Sequence, residues 1–556
     1  MAAIITNKLR IFNAQEFLQS INRSAPVWNT NQSYSAGDSV VNNRNLFVAV
    51  ATGTSAATGT GPTPSSLTDG TVTWIHQGLA VYNNLYMSVA KHTPWTNDAN
   101  PPTPQDSIGY GYSVNADTIA MKKVNYADMT LAIPRINWTS GRVYTMFEHD
   151  SPEEIIPNNY VVTDSGNQYN VYKCINNRAY VDDAVGVQTV ASTVKPTSTS
   201  TTEFQETSDG YVWKYMYSIE LSDALKFLTK DYIPVDTILY EPVDVSSAEY
   251  VQWQIQQNAA GIDGEIEWIK IEPNEVGGAV SGGSGYHPNI NKTGIALTGN
   301  TLSIPNISNT SLDYTKYFII DLGNNEQFEI TQWNVTGTTA AVTVNGTFTG
   351  GADRNLIIAP GVSVAGNGAG FTAYGIVTID KISSMVITAK GANWSAVDSA
   401  EIDTSNVPAV DGNGNQNVNA CKVKPIISPD YGHGYNAIEE LAGYYVMVSM
   451  RLEYDEQSTR DNSLGNSETK VIFPVSGDEA QFRQIAIVAD PQEATSDNPP
   501  ATEESYRGPK HPDFGTADEE PFDILTGSGK VLYTENRQPV ARAIDQIEDI
   551  KVVFEF

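Results

Sequence analysis

The stretch GKVLYTENRQPVARAIDQIEDIKVVFEF, residues 529–556, decides the reading of the fold. Its last seven residues alternate. Ile550, Val552, Phe554 and Phe556 fall on one face, and Lys551, Val553 and Glu555 on the other, which is the period of a half-buried β-strand. A strand at a terminus is ordered only where its apolar face is packed and its backbone paired. The pattern predicts that these four residues form a packing or interface strand, with Phe556 in a sheet or against a neighbouring chain.

The same alternation recurs upstream. YVWKYMY puts Tyr211, Trp213, Tyr215 and Tyr217 on one face after an Asp209-Gly210 turn, and YYVMVSMRL does the same for Tyr444, Val446, Val448, Met450 and Leu452. Both read as half-buried sheet strands. Helical signals are few: Asn13 followed by Glu16 resembles a capping box opening a short helix with Phe17, Leu18 and Ile21, and a second helix is expected from Ser222, with Leu225 and Leu228 facing inward. The fold class is mainly β, with short helices.

Length and charge narrow the function classes. A chain of 556 residues predicts about three to four domains, and 40% hydrophobic residues match ordinary globular usage. Acidic residues outnumber basic ones 64 to 33, for a net charge of −31. Phosphate and anionic lipid need clustered Lys and Arg, so neither nucleic acid nor an anionic membrane surface is the expected partner. Two cysteines, Cys174 and Cys421, are too few for a disulfide scaffold or a thiolate zinc site, and suit a reducing compartment; one bridge between them stays open. The opening residues lack an apolar core of signal-peptide length, and no run of about 18 apolar residues occurs, so neither standard secretion nor membrane insertion is expected.

Three stretches differ in composition from their surroundings. Residues 25–78 form a small Gly/Ser/Thr-rich unit with regularly spaced aromatics, an inserted module. Residues 246–428, rich in Gly, Asn and Thr, carry related turns, GGSGYHPN from Gly282 and KGANWSAV from Lys390, beside GNGAGFTAYGIV from Gly366; they read as a second β-rich insertion with weak internal repeats. Residues 489–523 combine Pro with acidic residues and read as a long surface connection suited to wrapping a partner.

A search for chemistry returns little. The six histidines, His76, His92, His149, His287, His433 and His511, show no metal-ligand spacing. GYGY from Gly109 and GHGY from Gly432 read as tight turns in which glycine supplies positive φ. TGSGKVLY from Thr526 lacks the Ser or Thr after Lys530 that a phosphate loop needs. DGNGNQN from Asp411 has Lys422 where a calcium loop has its twelfth-position glutamate. No catalytic, cofactor-binding or metal residue is assigned, and the chain is read as a non-enzyme.

Trp28, Tyr34, Phe47 and Trp74 resemble the aromatics of small carbohydrate-binding modules appended to chitinases. Flat rings can stack on sugar faces, but so small a unit also needs its rings as core. Core is the stronger reading for Tyr34 and Phe47; for Trp28 and Trp74 a glycan-binding role and a core role stand level.

Several blocks together carry a wider likeness. YTENRQPVARAIDQIEDIKVVFEF (533–556) closely resembles the C-terminal end of the baseplate wedge subunit of T-even-type contractile-tailed phages, the gene product eight family. FRQIAIVADPQEA (482–494), DGYVWKYMYSI (209–219), TLAIPRINW (130–138) and TPWTNDANPPTPQDS (93–107) extend it in family order, and AIITNKLRIFNAQEFLQSI is similar to the family's N-terminus. The likeness implies a wedge scaffold in 1–24 plus 79–245 and again in 429–556, interrupted by insertions at 25–78 and 246–428. It implies a multi-domain, β-sandwich-like virion structural protein of the tail baseplate, assembled in the host cytoplasm, without cofactors. Its expected partners are other baseplate wedge subunits and paired copies of itself. A tail adhesion protein holding host surface glycan through the first insertion is the alternative, and a glycan hydrolase with a hidden carboxylate pair the third reading.

Overall fold

The closing stretch forms two strands, Lys530–Ala541 and Glu548–Glu555, and both sit at sheet edges beside strands from distant parts of the chain. The computed structural model describes residues 4–22, 28–43, 45–79, 85–124, 126–150, 159–177, 180–182, 186–188, 190–238, 240–262, 264–272, 282–395, 397–402, 421–452, 481–489, 529–541 and 548–556. The protein is mainly β, built from antiparallel sheets with few helices. The chain divides into two compact units, Met1–Pro134 with Ser222–Asp236 and Gly443–Phe556, and Arg135–Leu221 with Thr237–Ala442.

In the first unit one sheet runs Tyr232–Val235, Met129–Pro134, Tyr445–Leu452, Glu548–Glu555. Tyr445 stands opposite both Ala132 and Glu555. A second sheet runs Lys530–Ala541, Gln481–Ala489, Leu85–Ala90, Thr118–Val124, with Ile485 between Val89 and Glu535. Each sheet thus joins strands from the first third of the chain to strands from its end, so neither stretch completes a sheet alone. Residues 28–79 make a small sheet of Ser39–Asn42, Asn45–Ala49, Val72–Leu79 and Thr68–Asp69.

The second unit holds the sheet Tyr160–Asp164, Gln168–Asn176, Val212–Glu220, Gln205–Glu206. It also holds the sheet Ile266–Glu272, Lys422–Ile427, Val397–Ile402, Val362–Gly366, and a four-stranded sheet within 290–359. The last has its own core, from Leu297 and Ile304 to Trp333 and Phe348.

Several expectations need correction. The first helix runs Asn7–Asn22, six residues earlier than the Asn13 signal. Thr6 opens it, with its hydroxyl 3.4 Å from the Leu9 N–H, and Asn13 is an exposed mid-helix residue. The helix expected from Ser222 spans Leu221–Phe227 and buries Ala224 and Phe227, whereas Leu225 is 68% exposed; the inward face is one residue out of phase. GYGY is not a turn but lies in a helix, Ile108–Ala116, whose N-cap Ser107 accepts from the Tyr110 N–H.

The strands expected to be half-buried are buried on both faces. In Tyr445–Leu452, Met447 and Tyr445 on the second face are as enclosed as Val446 and Val448. In Val212–Glu220, Ile255 of helix Ala248–Ala259 packs against Tyr211, Trp213 and Tyr215, while Lys214 and Met216 on the other face are also buried. Cys174 and Cys421 are separate thiols, each buried; burial pushes both up, Cys421 to about 12. The 489–523 connection lies outside the described residues apart from Ala489. No helix among the described residues is long and apolar enough to cross a membrane.

Candidate functional site

The four residues of the terminal strand divide by depth. Ile550 and Val552 are buried, while Phe554 and Phe556 are half-buried. The N-terminal helix reaches both phenylalanines. Phe17 stands edge-on to Phe554, with centroids 5.6 Å apart, and lies 5.2 Å from Phe556. Tyr533 of Lys530–Ala541 meets Phe554 from another direction at 5.7 Å. Arg10 donates to the Glu555 carboxylate at 2.9 Å and to the Phe556 carbonyl at 3.2 Å, with its guanidinium 5.4 Å from the Tyr444 ring. The helix thereby clamps the strand by rings and by charge.

The backbone register sets what the edge presents. Phe556 N–H donates to the Tyr444 carbonyl at 3.3 Å, which makes every second residue, Phe554, Val552 and Ile550, bond inward to Tyr445–Leu452. The N–H and C=O groups of Asp549, Lys551, Val553 and Glu555 point outward. This strand ends the sheet order, so the outward edge has no pairing strand among the described residues. Charged residues on the edge discourage indiscriminate strand addition. Lys551 is also occupied: its ammonium donates to the Leu225 and Leu228 carbonyls at 3.2 and 3.0 Å, capping the Leu221–Phe227 helix. Burial lowers its pKa, with Asp549 acting the other way.

Beside the edge lies a groove of about 390 Å³ between Ser222, Leu225 and Lys226 on one side and Ser449, Arg451 and Asp549 on the other. Arg451–Asp549 and Lys226–Asp128 ion pairs, at 2.9 and 2.8 Å, line it. The N-terminal helix turns Ile11 and Ala14 inward and leaves an outer stripe of Leu9 and Phe12 exposed at i, i+3, with Ile5 also exposed just ahead of its first turn. Nothing in the sequence pattern of 1–24 had marked that outer stripe, because the helix was expected to start after it. The strand edge, the groove and the exposed Leu9 and Phe12 are each features suited to protein contact.

Trp28 and Trp74, for which a core role and a glycan-binding role stood level, are placed in the core of the small sheet unit. Trp74 is 1% exposed and Trp28 8%, and both belong to one core with Tyr34, Val40, Phe47 and Val72. Trp28 Nε1 donates to Asp69 at 2.7 Å. The loop at Gly61 lies on its indole: a Cβ there would come within 2.6 Å of the ring, at a φ of +74°. Asn42 holds this loop by donating to the Thr60 and Pro62 carbonyls.

Comparison with known proteins bears on the same terminal region. Residues 467–556 match the sequence family described as Bacteriophage T4, Gp8. A 78-residue segment is 36% identical to the baseplate wedge protein gp8 of Enterobacteria phage T4, covering 14% of this chain. The alignment spans 20% of the length of that relative. The resemblance read from the C-terminal blocks thus holds over the last ninety residues, and includes the strands Gln481–Ala489, Lys530–Ala541 and Glu548–Glu555.

Proposed function

We propose that this chain is a structural component of the baseplate wedge of a contractile phage tail, holding neighbouring wedge subunits together during assembly and infection. The observation that carries the reading is the match over 467–556, in which Gln481–Ala489 pairs with Leu85–Ala90 and Glu548–Glu555 with Tyr445–Leu452, both outside the match, while Lys530–Ala541 pairs with Gln481–Ala489 within it. A matching segment that cannot complete a sheet alone argues for likeness of the whole first unit rather than of a detachable tail. The role is one of contact, not catalysis. Its partners are other wedge subunits, together with paired copies of itself, in a virion whose parts form in the host cytoplasm.

The test is electron microscopy of the purified particle with antibodies against this chain. Label confined to the tail baseplate is the expected result. Label on fibres or spikes, or none on the particle, sinks the reading.

A further inference from the structure

The second unit buries a group of charges that a wedge role does not explain. Lys173 and Lys214 are direct cross-strand partners, only 1% and 4% exposed, in the arrangement where like charges repel most. Beside them comes the GHGY turn. Gly434 has a φ of +93°, and a Cβ there would stand 2.4 Å from Ile255; glycine alone lets the turn close and set His433 inside.

The ring of His433 lies between two carboxylates, Nδ1 3.1 Å from Glu440 and Nε2 2.7 Å from Glu267. Glu440 also accepts from Lys173 at 2.9 Å and from the Gly434 N–H at 2.6 Å. Burial opposes its charge, but Lys173 and His433 prevail and hold the carboxyl at about 2. Both carboxylates are therefore engaged, while the Lys214 ammonium donates to the Thr201 carbonyl at 3.0 Å. An imidazole can serve two carboxylates only with a proton on each nitrogen, or with one proton moved onto an oxygen. In either case the two lysines, the extra ring proton and the two carboxylates sum to one unbalanced positive charge.

That charge faces open space. Lys214, His433 and Glu267 line a cavity of about 350 Å³, with Asn258, Thr201 and Lys390 completing its wall and rim. Lys390 pairs with Glu265 at 3.0 Å and lies over the Phe204 ring, and Glu203 at the rim is exposed to solvent. The Thr201 hydroxyl accepts from Asn258 at 3.0 Å and keeps its own proton to donate.

We propose that this cavity binds one small oxyanion, a carboxylate or a phosphate, through the Lys214 ammonium, with Lys390 and the Thr201 hydroxyl as further donors. A bound anion neutralises the surplus charge, which is the condition for burying it. Burial lowers the pKa of Lys214 while Glu440 and Glu267 act against it, so occupancy falls as rising pH removes the ammonium proton, starting below the ordinary lysine range.

The experiment is equilibrium dialysis and thermal unfolding of the full chain with inorganic phosphate or sodium acetate, against sodium chloride at equal ionic strength. Phosphate or acetate, whichever chemistry the cavity takes, raises Tm beyond chloride and binds once per chain. Lys214→Gln weakens that binding about tenfold or more, and Lys390→Gln about threefold. Equal effects of all three salts, or binding unchanged in both variants, overturn the proposal. Should Lys214→Gln fail to fold, Lys390→Gln, whose side chain is 43% exposed, still decides it.

Discussion

Lys173–Glu440 in the second unit and Arg10–Glu555 in the first are ion pairs of the same length, 2.9 Å. Their surroundings are opposite: the side chains are 1% and 7% exposed in the former, 26% and 47% in the latter. Equal geometry gives unequal energetics. In the buried pair each charge has lost its water and depends on its neighbour, so removing one partner strands the other. In the exposed pair solvent and salt replace whatever is lost. The first unit holds its terminal strand by rings and backbone bonds, with charge as trim; the second makes charge part of its core.

The largest expected effect tests the first half of that contrast. Removing residues 550–556 takes away buried Ile550 and Val552, the partners of Phe17, and the hydrogen bonds that cover the outer side of Tyr445–Leu452. An open edge beside an uncovered apolar face favours aggregation. The truncated chain is expected in the insoluble fraction or as large species on size exclusion, and absent from assembled wedges. Normal assembly of the truncated chain would show that the strand is dispensable.

Next comes the buried pair. Glu440→Ala leaves Lys173 unpaired and the Gly434 N–H without its acceptor, and is expected to cost about 3–5 kcal/mol in chemical denaturation. If it costs no more than an exposed substitution, the distinction between the two pairs fails. The pH dependence sharpens the same point. The Glu440 pKa is depressed in the folded state to about 2, so its contribution is complete above the unfolded carboxylate range and is lost as pH falls from roughly 4.5 through about 2. That contribution is on the order of 3 kcal/mol. In acid titrations followed by fluorescence, wild type should lose stability over this window, and Glu440→Gln should lose less of it.

Why these two regions differ in legibility follows from range. The alternation of Val446, Val448 and Met450 is local, so a strand was evident there, and the four apolar residues from Ile550 on announced theirs. Burial of the opposite face was not evident, since it depends on where distant segments come to lie, such as the turn whose Gly434 would bring a Cβ within 3.9 Å of the Lys214 side chain. Periodicity also could not tell Trp28 as core from Trp28 as a sugar platform; the loop carrying Gly61 decides that, and its course is tertiary. His433 was legible as part of a turn and no more. Its meaning comes from Glu267, 166 residues away, and from the register that sets Lys173 opposite Lys214.

The smallest expected effect belongs to Arg10. Arg10→Ala removes the Glu555 pair, the bond to the Phe556 carbonyl and the contact with the Tyr444 ring, yet leaves Phe17 against Phe554 and Phe556. The double-mutant cycle with Glu555→Gln isolates the pair, and its coupling should be about 0.2–1 kcal/mol, falling further at high salt. The arginine's packing and its carbonyl bond remain outside that coupling, so Arg10→Ala alone can cost more than the pair without contradicting it. A coupling that matches the Glu440 cost and resists salt would mean that the terminal clamp is closed to water in solution, and that the helix rather than the strand pairing holds Phe556 in place.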